Sequence, residues 1–397
     1  MDAMPTRLIH FSDTTLRDGE QMPGAALSPP EKLRIARALS EAGVSSIDAG
    51  FPACAPSEVE AIRLIAAELP ELPVSALCRT LKGDIDLAWE ALCDSQLDKR
   101  SVSLFVASSP VHRNYKLIKT VSQLLNLARN AIEYARSKFH VVAFSPEDAS
   151  RTEPDVLCEL YREAIDAGAR VIGFPDTVGI LLPSQVRNFI RRIQDRVPNF
   201  AKAILAVHFH NDLGLAVANT LAAMEEGVSA VQCTVNGIGE RAGNASLEEL
   251  ATLIALHGEA LGIRINIAIH RLWELSHLVS ELTGIPLSPN KAVVGSNMFA
   301  TAAGIHQDGL LKNAGTYLPF PPELIGGPPV TLVLGKHSGR AAIAARLAEL
   351  GLECDDAHLA RTIAFAKAAP KSAWNDSAAL LAAAHYATGE TARVLAV

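Results

Sequence analysis

The chain has 397 residues, 49% of them hydrophobic and 20% charged, which is enough apolar material for a sizeable core and more length than one average domain needs. A net charge of −7 argues against a nucleic-acid footprint, which needs a basic face, although local arginines can still hold small anions. Six scattered cysteines (54, 78, 93, 158, 233 and 354) without a CxxC pair, an N-terminus without an apolar signal core, and no long apolar run exclude a disulfide framework and a membrane span, and set the expectation of a cytoplasmic protein.

Short β-rich runs alternate with longer amphipathic ones. The spacing predicts strands over 8–12, 46–49, 74–77, 101–106, 141–144, 171–174, 204–208 and 230–235. Pro29 and Pro30 open a helix carrying Leu33, Ile35, Ala36 and Leu39, and Gly43 closes it. A helix ending before Gly168 and another ending before Gly227 repeat that exit into a strand. Eight strands alternating with helices over about 250 residues fit an α/β fold of the (β/α)8 TIM-barrel type, with an open doubly wound sheet as the alternative. The rhythm stops near residue 265. The expected division is a catalytic barrel over 1–265, a linker and subdomain contributing to the active site over 266–340, and a C-terminal helical subdomain over 341–397.

Four segments carry chemistry. DTTLRDGEQ, residues 13–21, follows the first strand and so falls at the catalytic face of a barrel. There Asp18 is a candidate metal ligand and Arg17 a candidate oxyanion holder; a solvated charged turn is the plain alternative. HFHND, residues 208–212, puts His208 and His210 on one side of a strand end, which suits a metal. Chance alone supplies roughly 0.4 such pairs in a chain with 12 histidines, so position carries the argument. NGIGERAGN, residues 236–244, is glycine-rich but lacks the dinucleotide fingerprint. GIHQDG, residues 304–309, holds His306 outside the expected barrel, where a lone histidine is by default structural.

These segments, with FSPEDASRT, FPDTVG, GTY and LGKHSG, together resemble the acyl-CoA Claisen-condensing metallolyases, a family that includes 2-isopropylmalate and homocitrate synthases. The resemblance runs from about residue 8 to 340. It implies a TIM barrel with C-terminal subdomains, in a homodimer whose subdomains reach the partner's active site. It implies acetyl-CoA as co-substrate and a divalent metal (Zn, Mn or Mg) held by Asp18, His208 and His210, with Asn244 as a further ligand. The metal would act as a Lewis acid on a 2-oxo acid. Arg17 would stabilise the alkoxide, Thr177 would bind the substrate carboxylate, and Cys78, Arg79, Ser103, Ser145, Gly173 and Pro175 would complete the substrate pocket. Glu147 and His306, with Tyr317, would handle the proton when acetyl-CoA enolises; Gly237, Gly239 and Arg241 would receive CoA.

The 2-oxo acid is read from charge. 2-Oxoglutarate needs a cation for its distal carboxylate if that group is buried. Nitrogen-fixation homocitrate synthases carry an arginine before their ADTVG motif, where this chain has Gly173. The isopropylmalate branch has asparagine there, and histidine where this chain has Ser103. Both changes remove volume and leave no charge, so the expected substrate is an apolar 2-oxo acid at least as large as 2-oxoisovalerate, with phenylpyruvate a candidate. Arg79, directly after the third strand, is the residue that could reverse this in favour of a homocitrate synthase. The chain ends short of the leucine-sensing domain of ordinary isopropylmalate synthases, and TAAGIH departs from the family's usual histidine-bearing segment at Thr301 and Ala302. A hydroxymethylglutaryl-CoA-type lyase is the other alternative; its cysteine-bearing glycine loop is not evident in the sequence.

Overall fold

The computed structural model describes residues 6–335, 337–352 and 355–368, together with Leu380 and Ala384. Cys354, Lys336 of the LGKHSG segment and most of the chain beyond 368 lie outside the described residues.

Eight parallel strands close into a barrel: β1 (His10–Asp13), β2 (Ser46–Asp48), β3 (Val74–Arg79), β4 (Arg100–Ala107), β5 (Val141–Glu147), β6 (Val171–Asp176), β7 (Ile204–Phe209) and β8 (Ala230–Cys233). Closure comes from β1 on β8, with Phe11 opposite Val231 and Asp13 opposite Cys233. The expected first strand is two pieces: Arg7–Leu8 leaves the barrel and pairs with Ile263–Arg264.

Helices separate the strands: α1 (Pro29–Ala42), α2 (Pro56–Glu68), α3 (Lys82–Ala91), α4 (Val121–Arg136), α5 (Pro154–Asp166), α6 (Pro183–Arg196), α7 (Ala216–Glu225) and α8 (Leu247–Leu261). The local chemistry explains their limits. Glu31 accepts hydrogen bonds from the Ser28 N–H and hydroxyl, closing the N-terminus of α1, and Gly43 leaves it in the left-handed region at φ 83°. α4 buries Leu124, Ala128, Ala131, Ile132 and Ala135, a spacing of three and four that makes one apolar stripe. Each large aliphatic side chain so buried contributes about 1.5–3 kcal/mol. Along β4, Val102, Leu104 and Val106 are buried, while Ser103 and Phe105 on the alternate face line the cavity inside the barrel. Because all eight strands are parallel, their C-terminal ends open at one mouth.

The first compact unit runs to residue 287, beyond the boundary expected at 265. The reason is α9 (Leu272–Thr283), which buries Leu272, Leu275 and Val279. The Ala268 N–H donates to Ala42 O, Asn236 donates to Ser276 O, and Arg271 pairs with Glu41, all tying this segment to the barrel.

The second unit spans 288–397. Within it Ala300–Thr301 pairs in parallel with Thr331–Leu332, and α10 (Gly304–Lys312) sends buried Gln307 to donate to Thr301 O and Val333 O. α11 (Arg340–Glu349) and α12 (Asp356–Ala368) share a core of Leu334, Ile343, Leu347, Leu359 and Leu380. No helix among the described residues is long and apolar enough to cross a membrane.

Candidate active site

The turn after β1 is fixed before it reaches its functional residues. Asp13 accepts hydrogen bonds from the Thr15 N–H and hydroxyl, and Thr15 Oγ1 accepts from Val235 N at 2.8 Å. The chain then coils so that the Asp18 N–H donates to Thr14 O. That delivers Asp18 to the end of β7, where His208 and His210 sit two residues apart on one face. Asp18 Oδ2 lies 3.6 Å from His208 Nε2 and 3.9 Å from His210 Nε2, and the two Nε2 atoms are 3.2 Å apart. All three residues are buried.

This cluster has the protonation a cation needs. Burial pushes the His208 imidazole down to about 3 and lowers His210 as well, so both are neutral ligands at neutral pH. Burial alone would raise the Asp18 carboxyl; Arg17, the two imidazoles and the Asn244 hydrogen bond outweigh it and hold the group below the usual carboxylate range. Two buried polar atoms have no partner in the cluster, the Asn244 Oδ1 acceptor and the His210 Nδ1, which carries the proton when Nε2 serves as a ligand. One carboxylate, two neutral imidazoles and a nearby orphan amide oxygen fit a divalent metal, and the donor set alone does not choose among Zn, Mn and Mg.

Arg17 stands beside the cluster with Nη1 on Asp18 (2.6 Å) and Nε on Asp48 (2.8 Å). From there a cavity of about 400 Å³ runs into the barrel, its wall formed by Leu77, Ser103, Ala143, Ser145, Gly173 and Ala206. Among the described residues every cation on the cavity wall is already paired: Arg17 as described, Lys116 with both oxygens of Glu147, and Arg241 with both oxygens of Asp212. Gly173 leaves room at one point in particular. A Cβ there would lie 2.1 Å from Ser145 Oγ, so any larger residue forces that hydroxyl aside.

The HMGL-like family profile matches residues 8–279, and a homocitrate synthase post-HMGL domain-like profile matches residues 293–372. The chain belongs to the acyl-CoA Claisen-condensing family. Among curated family members, the 2-isopropylmalate synthase of Methylococcus capsulatus is 47% identical over 350 residues, 88% of this chain and 68% of that protein. That of Rhodopirellula baltica is 47% identical over 347 residues, 87% of this chain and 66% of its own length. The chain thus spans about two thirds of these relatives. The hydroxymethylglutaryl-CoA lyase structure from Pseudomonas aeruginosa aligns with a TM-score of 0.60 at 23% identity, covering 71% of this chain and 96% of that one, a likeness of fold.

Most of the residues singled out by the family resemblance meet at this cavity. Arg17, Asp18, Ser103, Ser145, Glu147, Gly173, Pro175, Thr177, His208, His210 and Arg241 all line it. Asn244 joins them through its Nδ2 donation to Asp18 Oδ1 at 2.8 Å. Thr177 is already engaged, its Oγ1 accepting from Asp148 N and its carbonyl from Arg241.

The structure takes Cys78 and Arg79 out of the cavity wall. Cys78 is fully buried on the outer face of β3, its thiol directed to Asp84 O, and Arg79 turns to form a two-point ion pair with Asp84 while half exposed. Gly237 and Gly239 are likewise not on the wall. A Cβ on Gly239 would meet Asn244 Nδ2 at 2.2 Å and Asp18 Oδ1 at 2.9 Å, so this glycine makes room for the metal cluster itself. His306 and Tyr317 belong to the second unit, where their rings stack at 4.0 Å and both are exposed.

Asp48, Phe51, Phe105, Lys116 and Gln232 are also on the wall, beyond the residues that the motifs pointed to. Strand alternation from Ser103 was a usable signal for Phe105, and an acid at the end of a barrel strand was one for Asp48. Lys116 had none: it rides a wide helical turn, His112–Leu117, that no pattern announces.

Proposed function

We propose that this protein condenses acetyl-CoA with a 2-oxo acid whose side chain is apolar and uncharged, and releases a 2-alkylmalate and CoA. The observation that carries the reading is the Asp18–His208–His210 cluster beside Arg17, opening on a cavity with no unpaired cation among the described residues. The family and its 2-isopropylmalate synthase members support the reaction class.

The metal would be held by Asp18, His208 and His210, with Asn244 Oδ1 within the same buried cluster, and would supply Lewis-acid polarisation of the keto group. The chain does the rest. A base takes a proton from the acetyl methyl group, and the resulting carbanion forms a C–C bond to the keto carbon. The keto oxygen becomes an alkoxide and takes up a proton. Arg17, fixed by two carboxylates, is the donor placed for that developing charge. Water then cleaves the thioester, freeing CoA and a new carboxylate. We assign the enolising proton transfer to His306, backed by its stacked partner Tyr317, with Glu147 as the barrel's own proton-handling group. Arg241 is assigned to CoA, and Thr177 to the substrate carboxylate. A homodimer with a shared site and a cytoplasmic location complete the proposal.

Charge chooses the substrate. A second carboxylate entering the cavity would have to displace an existing ion pair, and Arg79 is committed to Asp84. Steady-state kinetics by thiol release on phenylpyruvate, 2-oxoisovalerate and 2-oxoglutarate test this. The better of the first two is expected to exceed 2-oxoglutarate in kcat/KM by about a hundredfold, equivalent to about 2.7 kcal/mol. Preference for 2-oxoglutarate overturns the neutral-pocket reading in favour of a homocitrate synthase.

A further inference from the structure

Lys32 sits on α1 with its side chain fully buried. An ammonium out of water needs full compensation, and here it has two carboxylates, Glu20 Oε2 and Glu58 Oε1, each at 2.5 Å. The second oxygen of each acid is also used. Glu20 Oε1 accepts from Leu27 N at 2.9 Å, and Glu58 Oε2 accepts from Phe51 N at 3.0 Å. Room for that last contact depends on Gly50, where a Cβ would fall 2.2 Å from Glu58 Oε2.

These links join two loops of the barrel mouth. Glu20 lies two residues beyond Asp18, and its own N–H donates to Thr15 O. Phe51 lies three residues beyond Asp48 and lines the cavity. The same two loops meet again where Arg17 binds Asp48. The interactions therefore close a ring: Arg17, Glu20, Lys32, Glu58, Phe51, Asp48 and back to Arg17. A buried charge cluster is weak support for stability, since a well-packed apolar replacement often does as well. Its strength is geometric, because each partner is held at one position.

We infer that Lys32 is a positioning residue for the metal site, acting through Glu20 and Glu58 to hold the Arg17–Asp18 loop against the Asp48–Phe51 loop. This rests on reading Asp18, His208 and His210 as metal ligands. Half an ångström of looseness in a supporting shell is enough to cost ligand affinity.

The test is calorimetric titration of metal-free protein with Mn2+, at a temperature where circular dichroism shows each variant folded. Lys32→Met is expected to bind at least tenfold more weakly than wild type. Leu39→Ala, a fully buried change on the same helix, is expected to lower the melting temperature and keep wild-type affinity. If Lys32→Met does not fold, Glu20→Gln serves in its place; it retains an acceptor for Leu27 N–H, loosens only the grip on the Asp18 loop, and is expected to lose at least threefold. Wild-type affinity in the folded variant, or an equal loss in Leu39→Ala, overturns the inference while leaving the metal site standing. A wild type that binds neither Mn2+ nor, in parallel titrations, Zn2+ or Mg2+ overturns both.

Discussion

The two halves of the barrel mouth are built on opposite principles. Around β1, β2, β7 and β8 the functional side chains are cross-braced: Arg17 to Asp18 and Asp48, Asn244 to Asp18, Thr15 to Val235. Around β4, β5 and β6 the deeper wall is built from the short residues Ser103, Ala143, Ser145 and Gly173, with Phe105 and the Lys116–Glu147 pair nearer the mouth. The difference separates two tasks. Reaction chemistry needs charges held at fixed places in a low-dielectric site, where each is over-determined by its neighbours. Substrate choice needs only volume and the sign of the local charge, and a wall of small residues can change either without disturbing the charges opposite.

The largest effects are expected on the braced half. Chelation should abolish turnover and added divalent metal should restore it, while His208→Ala should lower kcat/KM by at least about a thousandfold, or about 4 kcal/mol. Full turnover by protein shown to be metal-free by elemental analysis would remove the metal from the mechanism. For the second unit, His306→Ala should cut kcat by about a hundredfold and leave KM for the 2-oxo acid nearly unchanged. A variant that loses oxo-acid affinity and keeps its kcat would show that His306 binds rather than transfers a proton.

Smaller and more selective effects are expected on the open half. Gly173→Ala must turn Ser145 Oγ away and should lower kcat/KM for a bulky 2-oxo acid by about tenfold, or about 1.4 kcal/mol. In Ser145→Ala the same change should cost much less, and a double-mutant cycle measures the coupling. Equal losses in both backgrounds would mean the two positions do not interfere.

The smallest effect concerns pH. Burial pushes the Asp13 carboxyl from 3.8 up to about 7, so the folded chain holds this proton more tightly than the unfolded one. Its contribution to stability is complete below pH 3.8 and is lost as pH rises through 7. Asp13→Asn should therefore raise the melting temperature at pH 8 by about 2 °C and bring no gain near pH 4. A gain of the same size at both pH values would point to packing instead.

Much of the frame was legible because it is periodic. The strands announced themselves as short apolar runs between amphipathic ones, and the His208–His210 pair followed from strand alternation and place. What stayed hidden depends on partners far apart in the chain. Lys116 meets Glu147 across 31 positions and Lys32 meets Glu58 across 26, and no local pattern encodes either meeting. Arg79 was legible as a cation near the mouth, but its commitment to Asp84 is a matter of rotamer. The glycines at 237 and 239 were visible as a loop built for close approach. What approaches Gly239 is the protein's own Asn244, a distinction that glycine content cannot make.

The interlock between Gly173 and Ser145 also bears on how such a pocket diversifies. Two adjacent strands share one space, and whichever position fills it first restricts the other. A lineage that trims Ser145 to alanine or glycine can later place a side chain at 173. A lineage that enlarges 173 first must pass through a displaced hydroxyl. The accessible order of substitutions is thus directional, and substrate ranges that look one mutation apart in sequence can be separated by an intermediate that works poorly with either acid.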